Sequence, residues 1–163
     1  MLVIISYFTF PRLRQHPSPL IFHRCCWDAV FALSHILAYP LGETGCEVRS
    51  FINQASMFGS NGYYCCMSVD LFRAIRNPFF APRPVFYHIY VWTTALLTAT
   101  IIVATDNWGW SMMDFCWIRT RGDRELNYVI WLLFYIPVLI YYLFSLGVLA
   151  FAFASFRKGL PER

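Results

Sequence analysis

Four polar side chains, Arg49, Asn53, Ser56 and Ser60, recur every three or four residues within an otherwise apolar run. On a helix that spacing stacks them on one face. Turned toward hydrocarbon, their unpaired polar groups would cost several kcal/mol, so they point into a bundle. Two kinds of chemistry fit. Arg49, with Asn53 and Ser56, forms a candidate ligand-facing stripe on which the guanidinium pairs a polar or anionic group. Alternatively the stripe supplies interhelical hydrogen bonds, worth roughly 0.6 to 2 kcal/mol each. Gln54 and Asn61 lie off that face and read as interhelical contacts.

Asp28 is a second candidate, an acid inside an apolar segment, where a charge must be paired, hydrated or neutralised. Asp70 and Arg73, three residues apart, could pair on one helix face as an inner-face switch or as an ordinary ion pair. The chain has no phosphate-binding or dinucleotide glycine loop, no G-x-S-x-G elbow and no H-E-x-x-H pair. Its four histidines do not cluster, and metal-type C-x-x-C spacing is absent. Neither enzymatic activity nor a cofactor or metal is expected.

These residues need elements to hold them, and composition says which. Hydrophobic residues make up 58% of the 163-residue chain, aromatics 20% and charged residues 13%, with mean hydropathy +0.49. Soluble domains run near 25% charged, so the chain belongs to the membrane class. The formal charge of +4 is too small to suggest a nucleic-acid partner. From Tyr128 to Phe156 no side chain is charged, and a helix of that length is roughly 43 Å long. A bilayer core is about 30 Å thick. The expected fold is all-α: one transmembrane domain, a polytopic helix bundle in the lipid bilayer. Its spans are 20–41, 46–72, 85–105 and 128–156, with a partial one at 1–10. Pro137 should kink the last span. Within 85–105, Thr93, Thr94, Thr98 and Thr100 can return their hydroxyls to the backbone.

Orientation follows from the excess of Lys and Arg on the cytoplasmic side. With inner loops 11–19, 73–84 and 157–163, that side receives Arg12, Arg14, Arg24, Arg73, Arg76, Arg83, Arg157, Lys158 and Arg163. The outer loops, 42–45 and 106–127, receive Arg119, Arg121 and Arg124. This topology also sorts the cysteines. Cys25, Cys26, Cys65 and Cys66 lie toward the inside and read as small buried hydrophobes. Cys46 and Cys116 both face the oxidising side, where a disulfide is permitted. The alternative is two unpaired thiols that happen to lie outside.

A cysteine at the outer start of the third helix and another in the second outer loop resemble the hallmark disulfide of seven-helix G-protein-coupled receptors. The run Cys116-Trp117-Ile118 is similar to the secretin-like and slime-mould cAMP-receptor-like branches. Trp92, Pro137 and the run Phe156-Arg-Lys-Gly-Leu-Pro161 resemble features of the fourth and fifth helices of such receptors. The rhodopsin-type acidic-arginine-aromatic triplet is absent, and Asp70-Leu-Phe-Arg73 stands in its place. The resemblance runs from the end of helix one to helix five. It implies the Cys46–Cys116 bridge, a plasma-membrane receptor for an extracellular ligand of unknown identity, and a heterotrimeric G protein as partner. Asp70, Arg73, Arg76, Arg157 and Lys158 would be the inner-face switch or G-protein contacts. The rival expectations are a small multi-span scaffold or assembly protein, and a transporter fragment.

Overall fold

The computed structural model describes residues 2–11, 15, 17–36, 42–77, 79, 83–110, 116–119 and 128–157. It contains five helices in chain order, α1 (Leu2–Thr9), α2 (Ser18–Ile36), α3 (Glu43–Arg76), α4 (Pro84–Ala104) and α5 (Tyr128–Arg157). Two short strands, β1 (Trp108–Trp110) and β2 (Cys116–Ile118), stand between α4 and α5. The chain is therefore mostly helical. One amendment is needed, because segment 106–127, expected as a loop, carries this antiparallel hairpin. Its register pairs Trp108 with Ile118, Gly109 with Trp117 and Trp110 with Cys116.

Helix ends follow local chemistry. Pro84 opens α4 at a position where its missing N–H costs nothing. Asn77 precedes Pro78 and is extended at φ −140°, ψ 98°, because the proline ring excludes the helical region for the residue before it. That steric stop, rather than hydropathy, ends α3, so the helix outruns the apolar segment 46–72 through the charged residues Arg73 and Arg76. Past Ala104 the chain closes with paired reversed hydrogen bonds, Asn107 N–H to Ile102 O at 3.1 Å and Asp106 N–H to Val103 O at 3.1 Å. Asp106 takes the left-handed conformation this closure needs, φ 53°.

α5 is one helix with a wide turn inside it. Residues Trp131–Tyr135 are π-helical, and the Ile136 N–H reaches back five residues to Trp131 O. The cause is Pro137, which has no N–H for Leu133 O and whose ring would strike that carbonyl in a regular helix.

α3 is the axis of the molecule, packed against α2, α4, α5 and both strands. α1 packs against α2. Glycines on α3 allow the close approach: a Cβ on Gly59 would lie 2.5 Å from the Trp27 ring. One apolar cluster joins α2, α3 and α4 around Leu20, Trp27, Tyr63 and Val91. Another joins α3, α4, the hairpin and α5 around Phe58, Ile102, Trp117 and Phe134. Besides these clusters, α3 buries polar residues, among them Asn53, Gln54, Ser56, Ser68 and Asp70. The exposed surface carries Leu96, Leu97, Leu132, Leu139, Leu143 and Phe153. Two helices, Pro84–Ala104 and Tyr128–Arg157, are long and apolar enough to cross a membrane. The arginine, aspartate and histidines of α2, and the amides and serines of α3, keep those two below the same measure.

Candidate functional site

The hairpin lies on the first turns of α3, and three side chains of that helix hold it there. Cys46, one turn into α3, is disulfide-bonded to Cys116 of β2, with 5.2 Å between their Cα atoms. Both cysteines are buried. Two turns further along, Asn53 donates from Nδ2 to the Cys116 carbonyl at 2.9 Å. Its Oδ1 accepts the Ser34 hydroxyl of α2 at 2.5 Å. Gln54 also serves two partners. Its Oε1 accepts the Trp117 indole N–H at 2.8 Å, and its Nε2 faces Leu133 O at 3.4 Å. Leu133 O is the carbonyl that Pro137 cannot satisfy, so a side chain of α3 replaces the missing backbone donor. Trp117 in turn packs edge-on against Phe134, ring centres 4.9 Å apart.

These contacts matter because the site is dry. Asn53 and Gln54 are fully buried, and an amide stripped of partners there costs about 1–3 kcal/mol. The polar stripe thus divides. Asn53 serves the hairpin and α2. Ser56 returns its hydroxyl to Ile52 O at 2.7 Å and to Asn53 O at 3.1 Å, within its own helix. Arg49 is half-buried, and its Nε is occluded with no hydrogen-bond partner. The neighbouring Ser50 hydroxyl, fully buried, is also unpartnered. Of the ligand-facing candidates, Arg49 therefore keeps donor capacity, while Asn53 and Ser56 are engaged.

Asp28 lies on an exposed face of α2, with Arg24 Nε 3.9 Å from its carboxylate across one helical turn. The Arg24 guanidinium covers the Tyr64 ring of α3 at 5.2 Å.

At the opposite end, Asp70 is buried and accepts the Tyr87 hydroxyl of α4 at 3.1 Å. Arg73 and Arg76 are exposed one and two turns on. Arg76 lies over the Phe72 ring at 5.4 Å, and Phe72 contacts Phe151 of α5 at 5.5 Å. Arg157 is exposed at the end of α5, and Lys158 lies outside the described residues.

Several linking residues escape a reading of the sequence. Ser68 donates to Ser145 at 2.8 Å, joining α3 to α5. The hydroxyls of Tyr90 and Tyr141 join α4 to α5 at 2.6 Å. The Tyr63 hydroxyl meets His88 Nδ1 at 2.6 Å. One signal for Gln54 does exist in the chain: it follows Cys46 by eight residues, about two turns on the same side, and so lies below whatever Cys116 brings with it. The four remaining cysteines are free thiols, with Cys66 buried and the other three half-buried.

Among the described residues, the arrangement supplies hydrogen-bond donors, an occluded Arg49 Nε without a partner and a braced loop. Searches with protein-family models and against curated proteins match nothing.

Proposed function

We propose that the chain is the helix-one-to-five segment of a seven-helix G-protein-coupled receptor, of the cAMP-receptor-like or secretin-like type. Its helices cross the plasma membrane several times. The carrying observation is the tether: a disulfide joins the start of the central helix α3 to a hairpin between α4 and α5. The distribution of polarity supports the setting. Asn53, Gln54, Ser68 and Asp70 of α3 are buried and hydrogen-bonded to neighbouring elements, while the outward faces of α4 and α5 are apolar. That is the arrangement hydrocarbon demands, and it explains how helices as polar as α2 and α3 cross beside the two more apolar ones. A disulfide is also favoured in an oxidising compartment, which supports a hairpin that faces the outside of the cell.

In this reading the extracellular ligand binds beside the hairpin, with Arg49 pairing a polar or anionic group. The ligand acts by binding one helix arrangement better than another. A heterotrimeric G protein meets the other end at Arg73, Arg76, Arg157 and Lys158, near the Asp70–Tyr87 contact. Two measurements test this. Epitope tags inserted beside position 44 and within 120–127 should both be digested by protease added to intact cells. Washed membranes containing the chain should raise nucleotide exchange on an added G protein, and Arg73→Ala with Arg157→Ala should remove the increase. Tags in opposite compartments would sink the topology. Unchanged exchange with correct topology would favour the scaffold alternative.

A further inference from the structure

At the end of the bundle away from the hairpin, three helices contribute one ring each to a cluster outside the proposed ligand and G-protein contacts. His23 of α2 meets His88 of α4 edge to face, ring centres 4.5 Å apart. Tyr63 of α3 lies against both, 5.7 Å from His23 and 5.6 Å from His88. Tyr63 is fully buried and its hydroxyl is 2.6 Å from His88 Nδ1. The stack continues outward, since Phe22 contacts His23 at 5.4 Å and stacks on Tyr7 of α1 at 4.3 Å. Four helices therefore meet through a chain of aromatic rings in which two members can take up a proton near neutral pH.

Among the described residues, no contact offers the pair a negative charge against a second proton. On α2, Arg24 follows His23 and is itself cationic, with its guanidinium turned to Tyr64 and Asp28. Cys26 is a neutral thiol one turn on. On α3, Cys66 is a free thiol, and Asp70 accepts a hydrogen bond from Tyr87 of α4 at 3.1 Å. On α4, Arg83 stands before the first turn. On α1, the facing group is Tyr7. Among the described residues, no carboxylate touches either imidazole. Two imidazolium ions edge to face would repel across a half-buried contact where water screens poorly. Where the neutral His88 ring carries its proton on Nε2, the Tyr63 hydroxyl donates to Nδ1, and a proton on Nδ1 would turn that hydroxyl into the acceptor.

We propose that the His23–His88 contact is a proton-operated latch between α2 and α4, closed when at most one ring is charged and opened when both are. The proposal does not depend on the receptor reading, because it concerns helix packing alone.

The test uses the whole chain in lipid nanodiscs with isotopically labelled histidine. His23 and His88 should titrate in two coupled steps, the second proton binding less readily than the first. In His88→Gln, which keeps an acceptor for Tyr63, His23 should titrate in one step at a shifted midpoint. Lowering the pH from 7.5 to 5.5 should cost the wild-type chain several degrees of Tm, whereas His88→Gln should lose little. His23→Phe, which retains a ring against Phe22 and Tyr63, should also be insensitive and guards against a variant that folds badly. An unchanged His23 midpoint in His88→Gln would overturn the proposal. So would variants that lose as much Tm as the wild type on acidification.

Discussion

Gln54 uses both ends of one side-chain amide, and removing it orphans two groups at once. Gln54→Leu should destabilise the chain by about 1–2 kcal/mol, because the Trp117 indole and Leu133 O both lose a partner. Asn61→Leu is the matched comparison. Asn61 donates to Met57 O of its own helix at 2.8 Å, a bond that spans no interface, so its loss should be nearly silent. Thermal unfolding in detergent separates the two, and equal losses would contradict the bridging role. Gly59 gives a second residue-scale expectation. A methyl group there meets the Trp27 indole, so Gly59→Ala should cost about 1–3 kcal/mol. Trp27→Leu should recover part of that cost, and an additive loss would place the strain elsewhere. Of these residues the chain announces Asn53 and Ser56, because their periodicity is visible. It hides Tyr63, Tyr87 and Ser145, since their partners are fixed by how the helices are rotated against each other.

The helices themselves are largely legible, and the reasons differ from one to the next. Segments 85–105 and 128–156 are uninterrupted apolar runs, and α4 and α5 begin and end within a residue of them. Thr94, Thr98 and Thr100 return their hydroxyls to Tyr90, Thr94 and Leu96 carbonyls, as their placement on an apolar helix suggests. The hairpin is not legible. Strands of three residues carry almost no pattern, and this pair is held by a cystine and by α3 side chains rather than by its own alternation. The bend at Pro137 is legible as a proline; its form, a π-turn braced by another helix, is not. Those two facts predict a coupling. Pro137→Ala restores a backbone donor for Leu133 O, so Gln54→Leu should cost roughly half as much in that background, within the range of about 0.5–3 kcal/mol seen for neighbouring residues. A double-mutant cycle measures it, and strict additivity would mean that the carbonyl does not depend on Gln54.

For the whole molecule, the disulfide ties positions 70 residues apart. Closing a loop of that size removes chain entropy worth up to about 4 kcal/mol, less where membrane already confines the unfolded chain. Cys46→Ser and Cys116→Ser should therefore reduce surface delivery by the same factor, and the double variant should do no further harm. Surface biotinylation reads this directly, and additive losses would mean that each thiol matters for a separate reason. The pairing itself is half legible, because the charge bias leads to the expectation that both cysteines face one side and leaves their bonding open. The engagement of Asn53 beneath that bridge is not legible, since the Cys116 carbonyl becomes a partner once the strand has been laid along α3.

The π-turn has a consequence for everything that follows it in α5. Each residue added to a helix advances its azimuth by about 100°, so the widened segment 131–135 sets which meridian of the remaining helix faces α3. Inserting one residue after Val138, in the regular helix beyond the wide turn, should wind the downstream portion round by that angle and carry Ser145 away from Ser68. Cysteines placed at 68 and 145 should crosslink readily in the parent chain and fail to do so in the insertion variant.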